Sequence, residues 1–153
     1  MVGAGRSAIC VLVAGMTLFA VGALFHLAVP LVAPNIEPQF GNAALFRPWT
    51  GWTSTYMALH PFGFGVVFTA VFLWLRARSG VAGNWQGGLA YGFGVFLVGS
   101  LPVYLLAFAS FQVSSAVIVS WVLHSACQYI LAGVAVGWVA GPAKLGPAAD
   151  GGA

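Results

Sequence analysis

The sequence predicts an all-α integral membrane protein, a four-helix bundle with both termini in the cytoplasm. Of its 153 residues, 61% are apolar and only 5% are charged, whereas soluble domains carry about 25% charged residues. Four apolar runs are each long enough to cross a hydrocarbon core about 30 Å thick. Most of the basic residues fall on one side of these runs. The composition therefore suits a bilayer and leaves too few charges to cover a surface in water.

The four runs occupy about residues 9–31, 56–75, 85–109 and 114–138, in a single transmembrane domain over residues 1–141. They are apolar on all sides, which favours helices over the alternating strands of a closed barrel. The first run is longer than the roughly 7 to 15 residues of a signal-peptide core, so we predict that it is retained. Residues 142–153 are rich in Gly, Pro and Ala, and we predict a short disordered cytoplasmic tail.

The boundary of the second helix has two alternatives, because Pro61 follows His60. A proline inside a helix frees the carbonyl four residues back, here that of Met57, and usually kinks the chain. Proline is also favoured in the first turn of a helix. The second helix therefore either contains a kink at Pro61 or begins near it. The preceding segment, residues 32–52, holds three prolines and is predicted to be an irregular or partly interfacial loop.

The basic residues predict the orientation of the chain. With both termini on the same side, Arg6, Arg76, Arg78 and Lys144 lie on that side and only Arg47 lies on the other. Cytoplasmic loops of membrane proteins carry the excess of Lys and Arg. We therefore predict a multi-pass protein of the bacterial inner membrane with both termini inside. A net charge of +3 without a clustered basic patch excludes nucleic-acid binding.

Three histidines and one tyrosine fall in the outer half of the predicted bilayer. His26 lies near the outer end of the first run, His60 near the start of the second, and His124 within the fourth. At 1.5 Å per residue they lie roughly 6 to 15 Å below the outer boundary, and Tyr104 of the third run lies there too. Polar groups at this depth usually face the protein interior. Each histidine could instead be structural, bonded to a carbonyl, a tyrosine or water.

A polar stripe runs along the fourth helix. Ser120, His124 and Gln128 recur every four residues and share one face, with Trp121 and Cys127 beside them. Lipid offers no partners for these side chains, so we predict that the stripe faces the other helices and forms a polar network with Tyr104.

Glycines mark a second face of the fourth helix. Gly133, Gly137 and Gly141 form a double GxxxG motif, and Gly88 and Gly92 form another at the start of the third helix. This motif lets helix backbones touch within a membrane. Gly133 lies about 180° around the helix from His124, so we predict that both faces meet protein. One would meet this chain, and the other a second copy or a larger membrane complex. Alternatively, these glycines pack only within the monomer.

The chemistry missing from the sequence narrows the functional classes. Neither of the two acidic residues lies in an apolar run, which disfavours a transporter coupled to protons or cations. The hydrolase and metal motifs GxSxG, HExxH and CxxC do not occur. Cys10 and Cys127 lie in different runs near opposite sides, so we predict free, structural cysteines.

A ligand-holding role stays open for His26, His60 and His124. Two histidines from different helices can bind a b-type haem, and one can bind the magnesium of a chlorin. Three can hold a transition metal such as zinc or copper. Gly22 lies four residues before His26, and its lack of a side chain would let a macrocycle lie against the helix.

Three short segments carry a family resemblance: "FHLAVP" in the first helix, "GGLAYGFG" in the third and "AGVAVGWV" in the fourth. They resemble a group of small uncharacterised four-helix bacterial membrane proteins. The resemblance implies the fold and carries no assigned activity. The sequence therefore favours a non-enzymatic accessory or structural subunit that packs through glycine faces. The alternatives are a haem- or metal-binding membrane anchor and a small transporter or channel.

Overall fold

The computed structural model describes residues 3–42, 46–48 and 50–141. Within these ranges the chain forms helices and no strand. Four of the described helices are long and apolar enough to cross a membrane: Ala4–Val32, Trp52–Ser79, Trp85–Ser110 and Ser115–Ala140. We refer to them as the first, second, third and fourth spans. The predicted disordered tail, residues 142–153, lies outside the described residues.

The helix ends follow local capping chemistry. The third span begins after Asn84, whose side-chain oxygen accepts a hydrogen bond from the amide of Gly87 at 2.9 Å. The fourth begins after Ser114, whose hydroxyl accepts from the amide of Val117 at 3.4 Å. Such side chains replace the missing partners of first-turn amides. The second span ends at Gly80, which adopts the left-handed conformation with φ of 67°.

The second span resolves the alternatives at Pro61. The helix begins at Trp52, so Pro61 lies in its interior rather than in its first turn. The preceding segment is only partly irregular, because Glu37–Phe40 forms one short helical turn. Helical turns at both ends make this span longer than the predicted run of residues 56–75.

The third span changes its helical geometry in the middle. It consists of an α-helix over Trp85–Val95, a π-helical segment over Phe96–Ser100 and an α-helix over Leu101–Ser110. Pro102 has no amide hydrogen and cannot donate to the carbonyl of Val98, which disfavours a regular α-turn here. A wider π-turn accommodates this interruption without breaking the helix.

The first span packs against the second and the fourth, and the fourth also packs against the third. Glycine allows the first contact, since a Cβ on Gly65 would lie 2.8 Å from the amide nitrogen of Gly15. The third span reaches the second through Tyr91, whose hydroxyl donates to the carbonyl of Phe68 at 2.7 Å. The buried apolar cluster between the spans contains Cys10, Ala14, Leu18, Phe68, Phe72, Tyr91, Ala132, Val136 and Ala140.

The two ends of the helices differ in character. At one end, which we call the arginine end, Arg6 and Arg76 bond to the last turn of the fourth span. At the other, which we call the loop end, the amide of Ser114 donates to the side chain of Gln39 at 3.4 Å. The ring of Phe46 also lies edge-on to Trp121 there.

Candidate functional site

The three histidines do not converge on one point. No group of three or more His, Cys, Asp or Glu side chains in the described part of the chain could hold a metal ion. His26 is exposed on the first span, and His60 is exposed on the second. His124 is half-buried between spans. The three-histidine zinc or copper site that was one alternative from the sequence is therefore not formed.

The ring of His60 donates a hydrogen bond to the carbonyl of Met57, which Pro61 leaves without a backbone partner. The ring Nδ1 of His60 lies 2.9 Å from the carbonyl oxygen of Met57. A carbonyl can only accept, so Nδ1 must carry the hydrogen and Nε2 keeps its lone pair in the neutral ring. The ring also stacks on Tyr56. The sequence predicted that Pro61 frees the carbonyl of Met57, and in the structure the donor to this carbonyl is His60, which directly precedes Pro61.

His124 faces the first span. Its ring stacks on Phe25, with 4.9 Å between ring centroids. Its Nε2 atom is buried and has no hydrogen-bond partner among the described residues. Glycine makes room for it, because a Cβ on Gly22 would lie 3.6 Å from that nitrogen. An unpaired buried nitrogen costs about 1 to 3 kcal/mol, so this atom is the first place to expect a water or a ligand.

Gln128 ties the polar stripe to the first span. Its side-chain amide donates to the carbonyl of Leu18 at 2.8 Å. Beside this bond lies a cavity of about 70 Å³, lined by Leu18, His60, Pro61, Phe64, Gln128 and Tyr129. At about 30 Å³ per molecule, it could hold two waters. Groups from the first, second and fourth spans line this cavity.

The other members of the predicted polar network separate into two groups. Tyr104 forms a hydrogen bond with Ser125, which joins the third and fourth spans near Trp121. Ser120 instead donates to the carbonyl of Val117, within its own helix, at 2.7 Å. Cys127 is exposed and lies outside both polar contacts. His124 and Gln128 therefore meet the first span, while Tyr104 of the third span bonds to Ser125, which lies outside the stripe.

The predicted glycine faces meet each other. A Cβ on Gly88 would collide with the carbonyl oxygen of Gly133, and a Cβ on Gly133 would collide with that of Gly88. Gly92 faces the carbonyl of Tyr129 in the same way, and Gly137 lies beside Gly88. The α-hydrogens thus point at carbonyl oxygens across the contact, an arrangement worth about 0.5 to 1 kcal/mol for each pair.

Gly141 does not belong to this interface. It ends the fourth span with φ of 64° and lies against the guanidinium group of Arg6. The glycine face that suggested a contact between copies is therefore occupied by the third span of the same chain.

Several structural residues escaped the sequence analysis. Ser125, Phe25 and Gly65 make contacts between spans, yet each is a common residue in an apolar run and carries no spacing signal. Arg6 and Arg76 were used only to predict orientation, although both bond to the fourth span. The signal that could have found them is the lack of acidic partners, since the chain has five basic residues and two acidic ones.

Comparison of the chain with protein-family models, curated proteins and solved structures gives no match. The resemblance to small four-helix bacterial proteins therefore stays an expectation. The four apolar helices indicate a multi-pass membrane protein, and a more specific function has to rest on the geometry of the polar groups.

Proposed function

We propose that this chain is a non-enzymatic accessory or structural subunit of the bacterial inner membrane. The observation that carries the proposal is the use made of its polar side chains. Gln128, Tyr91 and Thr69 each donate to a backbone carbonyl of a neighbouring span, at 2.8, 2.7 and 3.4 Å. Hydrogen bonds of this kind hold helices together in lipid, and they leave these groups unavailable for chemistry.

The size of the polar cavity supports the same proposal. Pockets that hold organic ligands measure about 300 to 1,000 Å³, whereas this cavity measures about 70 Å³. A haem or chlorin would fit in this cavity only if the first, second and fourth spans separated. A ligand of this cavity is therefore limited to water, a single ion or a molecule of a few atoms.

The distribution of arginines supports an orientation with both termini in the cytoplasm. Arg6 and Arg76 lie at the arginine end, where Arg78 also follows the second span. Arg47 lies in the loop on the other side. The positive-inside rule then assigns the arginine end to the cytoplasm. Reporter fusions after residue 141 should give cytoplasmic activity, and a periplasmic signal would reverse the assignment.

A partner is part of the proposal, and it would not bind through Gly133 and Gly137. The third span offers another surface, because Val98 is 82% exposed and Leu105 and Leu106 are each more than 60% exposed. Lipid alone can cover such a surface. A partner subunit covering it would explain a chain made almost entirely of membrane spans, whether as a homo-oligomer or in a larger complex.

Purification from native membranes in a mild detergent tests the proposal. We expect no absorption above 300 nm and stoichiometric co-purification of a partner chain or a second copy. Leu105→Ala with Leu106→Ala should release this partner, while Leu24→Ala, on the exposed side of the first span, should retain it. Isolation of the protein as a monomer, or with a bound chromophore, would contradict the accessory role.

A second candidate function is the binding of one metal ion between His60 and His124. The Nε2 of His124 has no partner, and the bond from His60 to Met57 leaves its Nε2 as an acceptor. A backbone bond at Nδ1 is the usual arrangement of a metal-binding histidine. Elemental analysis should then find one metal ion per chain, lost in His124→Ala and retained in His26→Ala. Metal retained in both variants would exclude this site.

A further inference from the structure

Two arginines converge on the last turn of the fourth span. The Nε of Arg6 donates to the carbonyl of Val139 at 2.8 Å, and the Nη1 of Arg76 donates to the carbonyl of Ala140 at 3.0 Å. The two acceptors are consecutive residues at a helix C-terminus. The side chains come from the first and second spans, so three spans meet here. We refer to Arg6 and Arg76 as the arginine pair.

Glycines seat the pair against the backbone. A Cβ on Gly141 would collide with the guanidinium group of Arg6, and a Cβ on Gly83 would collide with that of Arg76. Each guanidinium group carries five N–H donors, and the bonds to Val139 and Ala140 use one on each. The remaining donors of both groups lie at this end of the protein, close to the C-terminus of the fourth span.

No acidic side chain among the described residues balances the charge of the pair. A helix C-terminus contributes roughly −0.5 elementary charge, which leaves about +1.5 after two guanidinium groups. Glu37 is the one acidic side chain among the described residues, and it lies at the loop end. Two guanidinium groups bonded to consecutive carbonyls repel each other, and an anion near both would relieve that repulsion.

The depth of the pair identifies the source of the anion. Three exposed tryptophans lie within three residues, along the sequence, of Arg76, Gly83 or Gly141. They are Trp74, Trp85 and Trp138, with 58%, 53% and 78% of their surface exposed. Tryptophan concentrates at the headgroup level of a bilayer. The arginine pair therefore lies among lipid phosphates.

We infer that the arginine pair binds the phosphate of an anionic phospholipid headgroup. Guanidinium groups and phosphates match as paired donors and acceptors, which gives such contacts geometric specificity. The lipid phosphate would balance the positive charge of the arginine pair at the point where three spans meet. It would act as a structural ligand that clamps the ends of the first, second and fourth spans.

The test compares phosphatidylglycerol with phosphatidylcholine on delipidated protein in a neutral detergent, with retained lipid counted by native mass spectrometry. Wild type should retain one phosphatidylglycerol per chain and little phosphatidylcholine. Arg6→Gln and Arg76→Gln should each weaken retention of phosphatidylglycerol at least about fivefold. Arg78→Gln is the matched control, because Arg78 is exposed at the same end and the substitution removes the same charge.

The outcomes separate a discrete site from diffuse attraction. Equal losses in Arg78→Gln and Arg6→Gln would overturn the site, as would equal retention of the two lipids by wild type. Displacement of the lipid by low millimolar inorganic phosphate would assign the pair to free phosphate instead. If the Gln variants do not fold, Arg6→Lys keeps the charge but loses the planar donor set, and it should still lower retention.

Discussion

The two faces of the fourth span are packed in opposite ways. Gly133 on one face touches the backbone of the third span with no side chain between. On the other face, His124 and Gln128 meet the first span through side chains, beside a cavity of about 70 Å³. Backbone contacts cannot yield without moving a whole helix, whereas side chains can change rotamer. The glycine face is therefore the rigid part of the molecule, and the polar face is the part that can adapt.

The largest expected effect is that of Gly88→Ala. The added Cβ would collide with the carbonyl of Gly133, which is backbone and cannot rotate away, so we expect a loss of about 3 kcal/mol or no folded protein. Gly94→Ala is the matched control, since nothing lies within 4 Å of its Cβ position in the same span. That variant should gain about 0.5 to 1 kcal/mol from lower chain entropy. Thermal unfolding in detergent measures both, and equal effects would contradict the rigid contact.

A smaller effect is expected for Gln128→Leu. The variant loses the bond to the carbonyl of Leu18 but places apolar atoms beside an existing cavity. Hydrogen bonds between membrane helices average about 0.6 kcal/mol and reach about 1.7, so the loss should fall in that range. The same substitution at Gln86, which is exposed at the start of the third span, should change stability by less. A loss above about 3 kcal/mol would mean that the polar face is as rigid as the glycine face.

The smallest effect is expected for Gly22→Ala, which repeats the first substitution on the adaptable face. The new Cβ would lie 3.1 Å from the side-chain nitrogen of Gln128 and 3.6 Å from the ring nitrogen of His124. Both atoms are ends of side chains and can move by a few tenths of an ångström. The gain in helix propensity then offsets the crowding, and the free energy of unfolding should change by less than about 1 kcal/mol. Destabilisation equal to that of Gly88→Ala would remove the distinction between the two faces.

The sequence was sufficient to predict the four spans, because the hydropathy of a segment depends only on its own residues. It also identified Gly88 and Gly133 as packing residues, since GxxxG spacing records a close approach within one helix. It could not identify the partner, because the same spacing serves a neighbouring span and a second copy equally well. The sequence also could not predict that Gln128 donates to the carbonyl of Leu18, because every residue type offers the same backbone acceptor.

The histidines show the same limit. Their common depth followed from counting residues at 1.5 Å each. Their separation depends on the rotation of each helix about its axis, which packing decides. His124 faces the first span, while His26 is exposed on that span. Spacing along the sequence could predict a common level for these groups, but it could not predict the distances between them.

The π-helical segment Phe96–Ser100 sets the rotational phase of the rest of the third span, Leu101–Ser110. In an uninterrupted α-helix, Tyr104 would point about 160° away from Gly88, which is sixteen residues earlier. One extra residue in a wide turn returns it to within about 60°. This rotation allows the half-helix carrying Gly88 and the half-helix carrying Tyr104 to contact the same neighbour. Deleting Gly99 would restore a regular helix and leave Tyr104 within about 60° of Gly88, facing Ser125, whereas a regular α-helix of unchanged length would turn Tyr104 away. The inserted residue and the wide turn therefore compensate each other, and a chain one residue shorter should keep the same assembly.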